Sequence, residues 1–258
     1  MIQLTLDTTV IALGPLAVHW FGLFLLGGLA AGLATAARAG VPRRTLLFLA
    51  SWAVPCGLLG ARLVHLLDGW AFYAEEPDQL LALHQGGLSL WGALLAGGAA
   101  ALIAARRAGL DAPWLADRLT PAALLGEAVG RIGTFLGGDG VGAPTLLPWG
   151  VVYRHNSALS PDFDLPRHPV QLYLALFALA LALVLRRWPT APPGRRALAG
   201  LTLYGAGRLL LGFLAAPAPL LLGLSQAQAI GLALFLAAGT LLAYSLLQER
   251  VKRLAEVR

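Results

Sequence analysis

Residues 228–247 read QAIGLALFLAAGTLLAYSLL, twenty consecutive positions without an Asp, Glu, Lys or Arg. A helix rises about 1.5 Å per residue, so this stretch is long enough to cross a hydrocarbon layer roughly 30 Å thick. Working outward from it, comparable charge-poor windows fall at 16–37, 47–67, 86–105, 119–138, 169–185 and 197–216. The chain is 58% hydrophobic and 12% charged, about half the charge of a soluble domain. A soluble fold has too little polar surface to cover so many Leu and Ala side chains. Strands of a membrane barrel would alternate apolar and polar residues, whereas these windows are continuous runs. The expectation is therefore an all-α, polytopic membrane protein with about seven transmembrane helices, forming a single integral membrane domain over 1–258.

The basic residues set the orientation. Of nineteen Lys and Arg, fourteen follow the first and seventh windows or lie between the third and fourth and between the fifth and sixth. Examples are Arg38, Arg106, Arg186 and Arg250. Basic loops stay in the cytoplasm, which predicts an external N-terminus and a cytoplasmic C-terminus. The same placement accounts for the net charge of +6 without nucleic acid as a partner. Residues 139–168, rich in Pro and Gly, form the longest external segment and read as a short cap, too short for a domain of its own. Met1 to Pro15 carries Asp7 and no Lys or Arg, so it is not expected to act as a signal peptide. Cys56 is the single cysteine and forms no intrachain disulfide. No internal repeat of the transporter kind is visible.

Arg62, Arg131 and Arg208 fall inside the second, fourth and sixth windows, all of which run outward, at or beyond mid-span. Burying an Arg there costs about 2.5–3.5 kcal/mol on insertion scales, so such residues face an interior or a wet cavity. Glu127 lies four residues before Arg131, and an intrahelical ion pair is one reading of that spacing. The other is a positive cavity for an anion, since guanidinium matches phosphate geometry. The depth suggests a phospholipid headgroup. Polar residues gather near the same outer level: His84 and Ser89 at the third window, Asp139 closing the fourth, and His168, Gln171 and Tyr173 opening the fifth. His168 is a candidate proton carrier; polarity at a helix end is the plainer reading of each. None of the five histidines forms an HExxH-type pair, so neither a metal nor a cofactor is expected.

Ala128-Val129-Gly130-Arg131-Ile132-Gly133-Thr134-Phe135 resembles the signature of the prolipoprotein diacylglyceryl transferase family. In the same order, His19-Trp20-Phe21-Gly22, Gly60-Ala61-Arg62-Leu63, Gly86-Gly87-Leu88-Ser89 and Pro148-Trp149-Gly150 are similar to further family boxes. So are Arg167-His168-Pro169, Gln171-Leu172-Tyr173, Tyr204-Gly205-Ala206-Gly207-Arg208 and Gly223 to Gln228. The resemblance implies seven membrane helices in the bacterial cytoplasmic (inner) membrane. It implies transfer of a diacylglyceryl group from phosphatidylglycerol to the lipobox cysteine of a preprolipoprotein, with membrane lipids and a signal peptide as partners. Arg131 and Arg208 would hold the lipid phosphate, with His168, His84 and Asp139 as further catalytic candidates. Arg62, Gln171, Tyr173, Tyr204, Ser89 and Thr134 would bind substrate. The nucleophile would be the substrate's own thiol.

The chain departs from the pattern at several polar positions. Trp91-Gly92-Ala93 stands for His-Gly-Gly, Thr134 and Gly137 for two Asn, and Asp139 for Glu. Phe21 stands for Tyr, and Leu174 and Gly212 for two acids. Two readings remain: a divergent transferase in which His84 or His168 handles the proton, or a relative that binds anionic phospholipid without transfer. A small-solute transporter is a third, disfavoured by the missing repeat.

Overall fold

The computed structural model describes residues 2–4, 9–13, 16–81, 89–154, 165–188, 192–215 and 223–256. Among these residues the α-helices are α1 (Trp20–Arg38), α2 (Arg43–Asp68), α3 (Trp70–Glu75), α4 (Leu90–Arg107), α5 (Ala112–Gly137), α6 (Val170–Arg187), α7 (Arg195–Gly212) and α8 (Gln226–Glu256). Four short strands accompany them: β1 (Ile2–Leu4), β2 (Thr9–Leu13), β3 (Leu16–His19) and β4 (Val151–Tyr153). α1, α2, α6, α7 and α8 are long and apolar enough to cross a membrane. α4 ends on Arg106-Arg107 and α5 carries Glu127 and Arg131, so these two are less uniformly apolar.

Element ends differ from the sequence expectation where capping decides them. The first helix begins at Trp20 rather than 16, because Leu16–His19 pairs antiparallel with Thr9–Leu13. α5 begins seven residues before the charge-poor window, at Ala112, where the Asp111 carboxylate accepts from the Trp114 N–H at 3.0 Å. α8 starts on a reciprocal cap. The Gln228 N–H donates to Ser225 Oγ at 3.3 Å, and the Ser225 N–H to Gln228 Oε1 at 2.9 Å, a capping box.

The chain forms two compact units, Met1–Arg38 with Ala116–Arg258, and Ala39–Leu115. In the second, α2 and α4 run antiparallel and approach so closely that a Cβ at Gly97 would lie 2.9 Å from the Ala53 carbonyl oxygen. In the first, α1 packs antiparallel on α5, with a Cβ at Gly126 reaching 2.8 Å from the Gly28 carbonyl oxygen. Such backbone-to-backbone contact requires glycine and suits helix association in lipid, where van der Waals packing replaces the hydrophobic effect. α7 is antiparallel to both α6 and α8, since Gly207 faces Phe177, Gly200 faces Leu185 and Gly205 faces Gly231.

The surface is inverted relative to a soluble protein. Leu63, Leu67, Leu176 and Leu210 are all more than 60% exposed, whereas Arg62, Arg167, Arg195 and Arg208 are buried. Apolar outside and cationic inside is the arrangement a hydrocarbon solvent selects. The molecule is a multi-pass membrane protein.

The cap following α5 is built on its backbone. β4 pairs in parallel with β1, and Arg167 bridges both Pro144 and Val151. The Arg167 guanidinium donates to the Gly142 carbonyl at 3.1 Å. Val151 and Tyr153 pack with Leu4, Phe135 and Val141 into a small apolar core.

Candidate functional site

The charged centre lies in the first unit, between α5 and α7. These helices run parallel: Thr120 faces Gly200, and the Tyr204 hydroxyl donates to Glu127 Oε1 at 2.9 Å. The same oxygen accepts from Arg131 Nη2 at 2.9 Å and Nε at 3.2 Å. The intrahelical pair read from the spacing is therefore formed. The parallel register brings Arg208, one turn beyond Tyr204, within electrostatic range of Arg131, Glu127 and Tyr204. These three charged groups, two guanidiniums and one carboxylate, sum to a formal +1. The Thr134 hydroxyl folds back on its own helix, donating to the Arg131 carbonyl at 2.9 Å.

A second cluster sits where the cap meets α6. Trp149 Nε1 donates to the Tyr173 hydroxyl at 2.8 Å, and that hydroxyl lies 3.3 Å from His168 Nδ1. The backbone holds His168 on both sides: its N–H donates to the Ala143 carbonyl, and its carbonyl accepts from the Gly142 N–H, each at 3.0 Å. A Cβ at Gly142 would collide with His168 and Val170, so this clamp needs glycine. Gln171 is buried and its Nε2 donates to the Asp139 carbonyl at 2.7 Å. Burial raises the Tyr153 phenol above its ordinary value, and the neighbouring Gln171 side chain offsets part of that rise.

Arg62 belongs to the other unit and is held locally. Its Nη2 donates to the Gln79 carbonyl at 2.5 Å and its Nε to the Leu80 carbonyl at 3.1 Å. Its guanidinium stacks 5.3 Å from the centroid of the Tyr73 ring, and Tyr73 in turn meets His65 Nε2 at 3.0 Å. These contacts clamp the segment after α3. Ser89 caps α4, its side chain accepting from the Gly92 N–H at 3.5 Å. His84 lies outside the described residues.

Sequence reasoning missed Asp117. Its side chain is almost wholly buried on α5. One carboxylate oxygen accepts from the Gly194 N–H and the other from the Ala197 N–H, both at 2.8 Å. It thus caps α7 from a neighbouring helix. Asp117 stands beside Arg118 between two apolar windows, where an acid reads as loop polarity, and its partners lie 77 and 80 residues away. Trp149 was seen only as part of a box, and its bond to Tyr173 spans 24 residues.

The family model described as prolipoprotein diacylglyceryl transferase matches residues 8–244. A Rhodococcus jostii protein named phosphatidylglycerol–prolipoprotein diacylglyceryl transferase is 36% identical over 192 residues, covering 67% of this chain and 54% of that protein. A Trichormus variabilis protein of the same name is 32% identical over 214 residues, covering 78% of this chain and 76% of its own. One from Dehalococcoides mccartyi is 29% identical over 258 residues, covering 97% and 98%. The chain thus spans about half the length of the Rhodococcus relative and nearly all of the Dehalococcoides one. With a match over most of its length, the chain belongs to the prolipoprotein diacylglyceryl transferase family.

Proposed function

We propose that the protein transfers a diacylglyceryl group from phosphatidylglycerol to the cysteine thiol of a prolipoprotein. The observation that carries this reading is the placement of Arg131 and Arg208 on parallel helices, within electrostatic range of each other, with Arg131 paired to Glu127. In the reaction the thiol sulfur attacks the diacylglyceryl carbon bonded to the phosphate. The C–S bond forms as the C–O bond breaks, and the electron pair leaves on the phosphate oxygen. The thiol proton balances the charge gained, and glycerol phosphate is released. Charge develops on the phosphate, so cations fixed beside it in a low-dielectric site stabilise the transition state more than the ground state. Glu127 orients Arg131, and Tyr204 holds Glu127. Both arginines then meet the leaving group without reorganising.

The proposal includes the placement. The protein sits in the bacterial inner membrane as one integral domain with seven passes, α4 and α5 among them, its N-terminus outside and its C-terminus inside. Residues 139–168 then form a cap on the outer face. The pair of buried Arg195, at the start of α7, with partly exposed Glu249, in the last third of α8, then falls at the cytoplasmic side.

The test is transfer of labelled diacylglyceryl from phosphatidylglycerol to a lipobox peptide by purified protein in nanodiscs. Wild type transfers, Arg131→Ala and Arg208→Gln do not, and the double Gln variant loses phosphatidylglycerol binding. Wild type that binds the lipid but transfers nothing, beside an active relative, overturns the reading in favour of a lipid-binding protein.

A further inference from the structure

The cluster of Trp149, Tyr173 and His168 favours one imidazole tautomer over the other. An indole N–H only donates, so the Tyr173 oxygen accepts from Trp149 at 2.8 Å. Its own single proton then points to His168 Nδ1, 3.3 Å away. The reverse arrangement, with Nδ1–H donating to the phenol, would leave the phenol proton without an acceptor among the described residues. Neutral His168 therefore keeps its proton on Nε2, and among the described residues nothing accepts from that nitrogen.

The height of His168 matters as much as its tautomer. Glu127 pairs with Tyr204 across the parallel helices, which sets Arg131 level with Arg208. Phe177 faces Gly207 across the antiparallel pair, which sets residue 176 at that same level. Val170, the first residue of α6, precedes residue 176 by six positions and so stands roughly 9 Å outward of the arginine pair at 1.5 Å per residue, and His168 precedes Val170. A lipid whose phosphate sits between the arginines keeps its reacting carbon near them, and the attacking thiol must be there too. A base for that thiol cannot work from two turns away, and Nδ1, the nitrogen with the free lone pair in this tautomer, is already engaged by Tyr173.

We infer that His168 is a donor to the protein substrate: its Nε2–H binds a backbone carbonyl of the segment that follows the acceptor cysteine, with Trp149 and Tyr173 as positioning residues. The inference rests on the transferase reading for the identity of that substrate. When the cysteine lies at the arginine level, the chain beyond it runs outward past His168. The Trp149 indole is half exposed beside it, offering an apolar face to an extended peptide. A lipid hydroxyl or phosphate oxygen is the other acceptor of the same chemistry, and the outward offset of His168 disfavours it.

Binding is measured directly, so the test does not depend on turnover. A fluorescent lipobox peptide extended by four residues past the cysteine, and the same peptide ending at the cysteine, are titrated into full-length protein in phosphatidylglycerol nanodiscs. His168→Ala is expected to weaken the extended peptide about five- to tenfold, the loss of one hydrogen bond, and to leave the short peptide and the lipid unchanged. His168→Gln, which keeps an N–H donor, restores part of the loss. Imidazole nitrogen NMR on histidine-labelled protein, assigned by the His168→Gln difference, should show Nε2 protonated and Nδ1 bare in wild type and a mixture in Tyr173→Phe. A protonated Nδ1 in wild type overturns the tautomer. Equal weakening of both peptides, no weakening, or weaker phosphatidylglycerol retention overturns the subsite. A transferase assay that fails while these binding results hold sinks the proposed reaction and leaves the peptide site standing.

Discussion

Replacing Asp117 tests how α7 is held. The carboxylate accepts two backbone N–H bonds of 2.8 Å at the start of α7, and its side chain is 1% exposed. Hydrogen bonds to a charged group contribute about 1.5–3 kcal/mol each, so the pair accounts for roughly 3–6 kcal/mol. Charge at a helix N-terminus adds about 0.3–1 kcal/mol. Asp117→Ala leaves two donors buried without an acceptor, and water reaching the half-buried Gly194 recovers part of the loss. The expected net cost is about 3 kcal/mol. Asp117→Asn keeps one acceptor and presents an amide N–H where the other acceptor was, so about half of that cost is expected. The assay is reversible unfolding in mixed detergent micelles, followed by circular dichroism. The order should be wild type, Asn, Ala. An Ala variant within 0.5 kcal/mol of wild type, the range of ordinary surface substitutions, would refute the carboxylate as the cap of α7.

Three further outcomes follow from the packing and the site. Tyr204→Phe removes the hydroxyl from Glu127; a bond to an ionised carboxylate is worth enough to raise the KM for phosphatidylglycerol about tenfold, and an unchanged KM would show that Glu127 holds Arg131 unaided. Gly92→Leu should abolish folding, since even a Cβ there meets the Gly60 carbonyl, whereas Gly98→Leu on the same helix meets nothing within 4 Å and should be tolerated; equal yields of the two variants would contradict the α2–α4 contact. Gly212→Ala pushes on the Gln228 side chain and should cost about 1–3 kcal/mol, the range for overpacking. Adding Gln228→Ala should then cost less than it does in wild type, and strict additivity in a thermal-melt cycle would show that the two do not touch.

The helices were legible in the sequence because the bilayer imposes a length and forbids charge over it, so Gln228–Leu247 marks a span without any tertiary knowledge. Their ends were less legible, since Asp111 and Ser225 are polar residues outside the apolar windows that extend the helices by capping them. β1 and β4 escaped because they pair with each other about 150 residues apart. In the site, the bond of Arg131 to Glu127 follows from one-turn spacing and was readable. The bond of Glu127 to Tyr204 depends on the register of two helices and was not. Arg62 shows the limit most clearly. Its depth in an apolar run pointed to a ligand, whereas its donation to the backbone carbonyls of Gln79 and Leu80 and its stacking on Tyr73 could not be read from the sequence. Main-chain acceptors leave no trace in residue identity.

The two site arginines are stabilised by different means, and that affects how their removal reads out. Arg131 has Glu127 one turn before it on α5. Arg208 lies four residues before the end of α7 at Gly212, within reach of the negative end of that helix dipole, which favours a cation. Position 212 itself has no side chain, and Gln228 fills the space one would take. Removing Arg131 therefore does more than delete a phosphate contact. It releases a half-buried carboxylate that keeps its bond from Tyr204 and lies within electrostatic range of Arg208, and a carboxylate turned toward Arg208 competes with the lipid phosphate for it. Truncating one partner of a buried pair reports the stranded charge together with the lost contact. The loss in Arg131→Ala should accordingly exceed that in a Glu127→Gln/Arg131→Gln double variant, where no carboxylate is left to close the site.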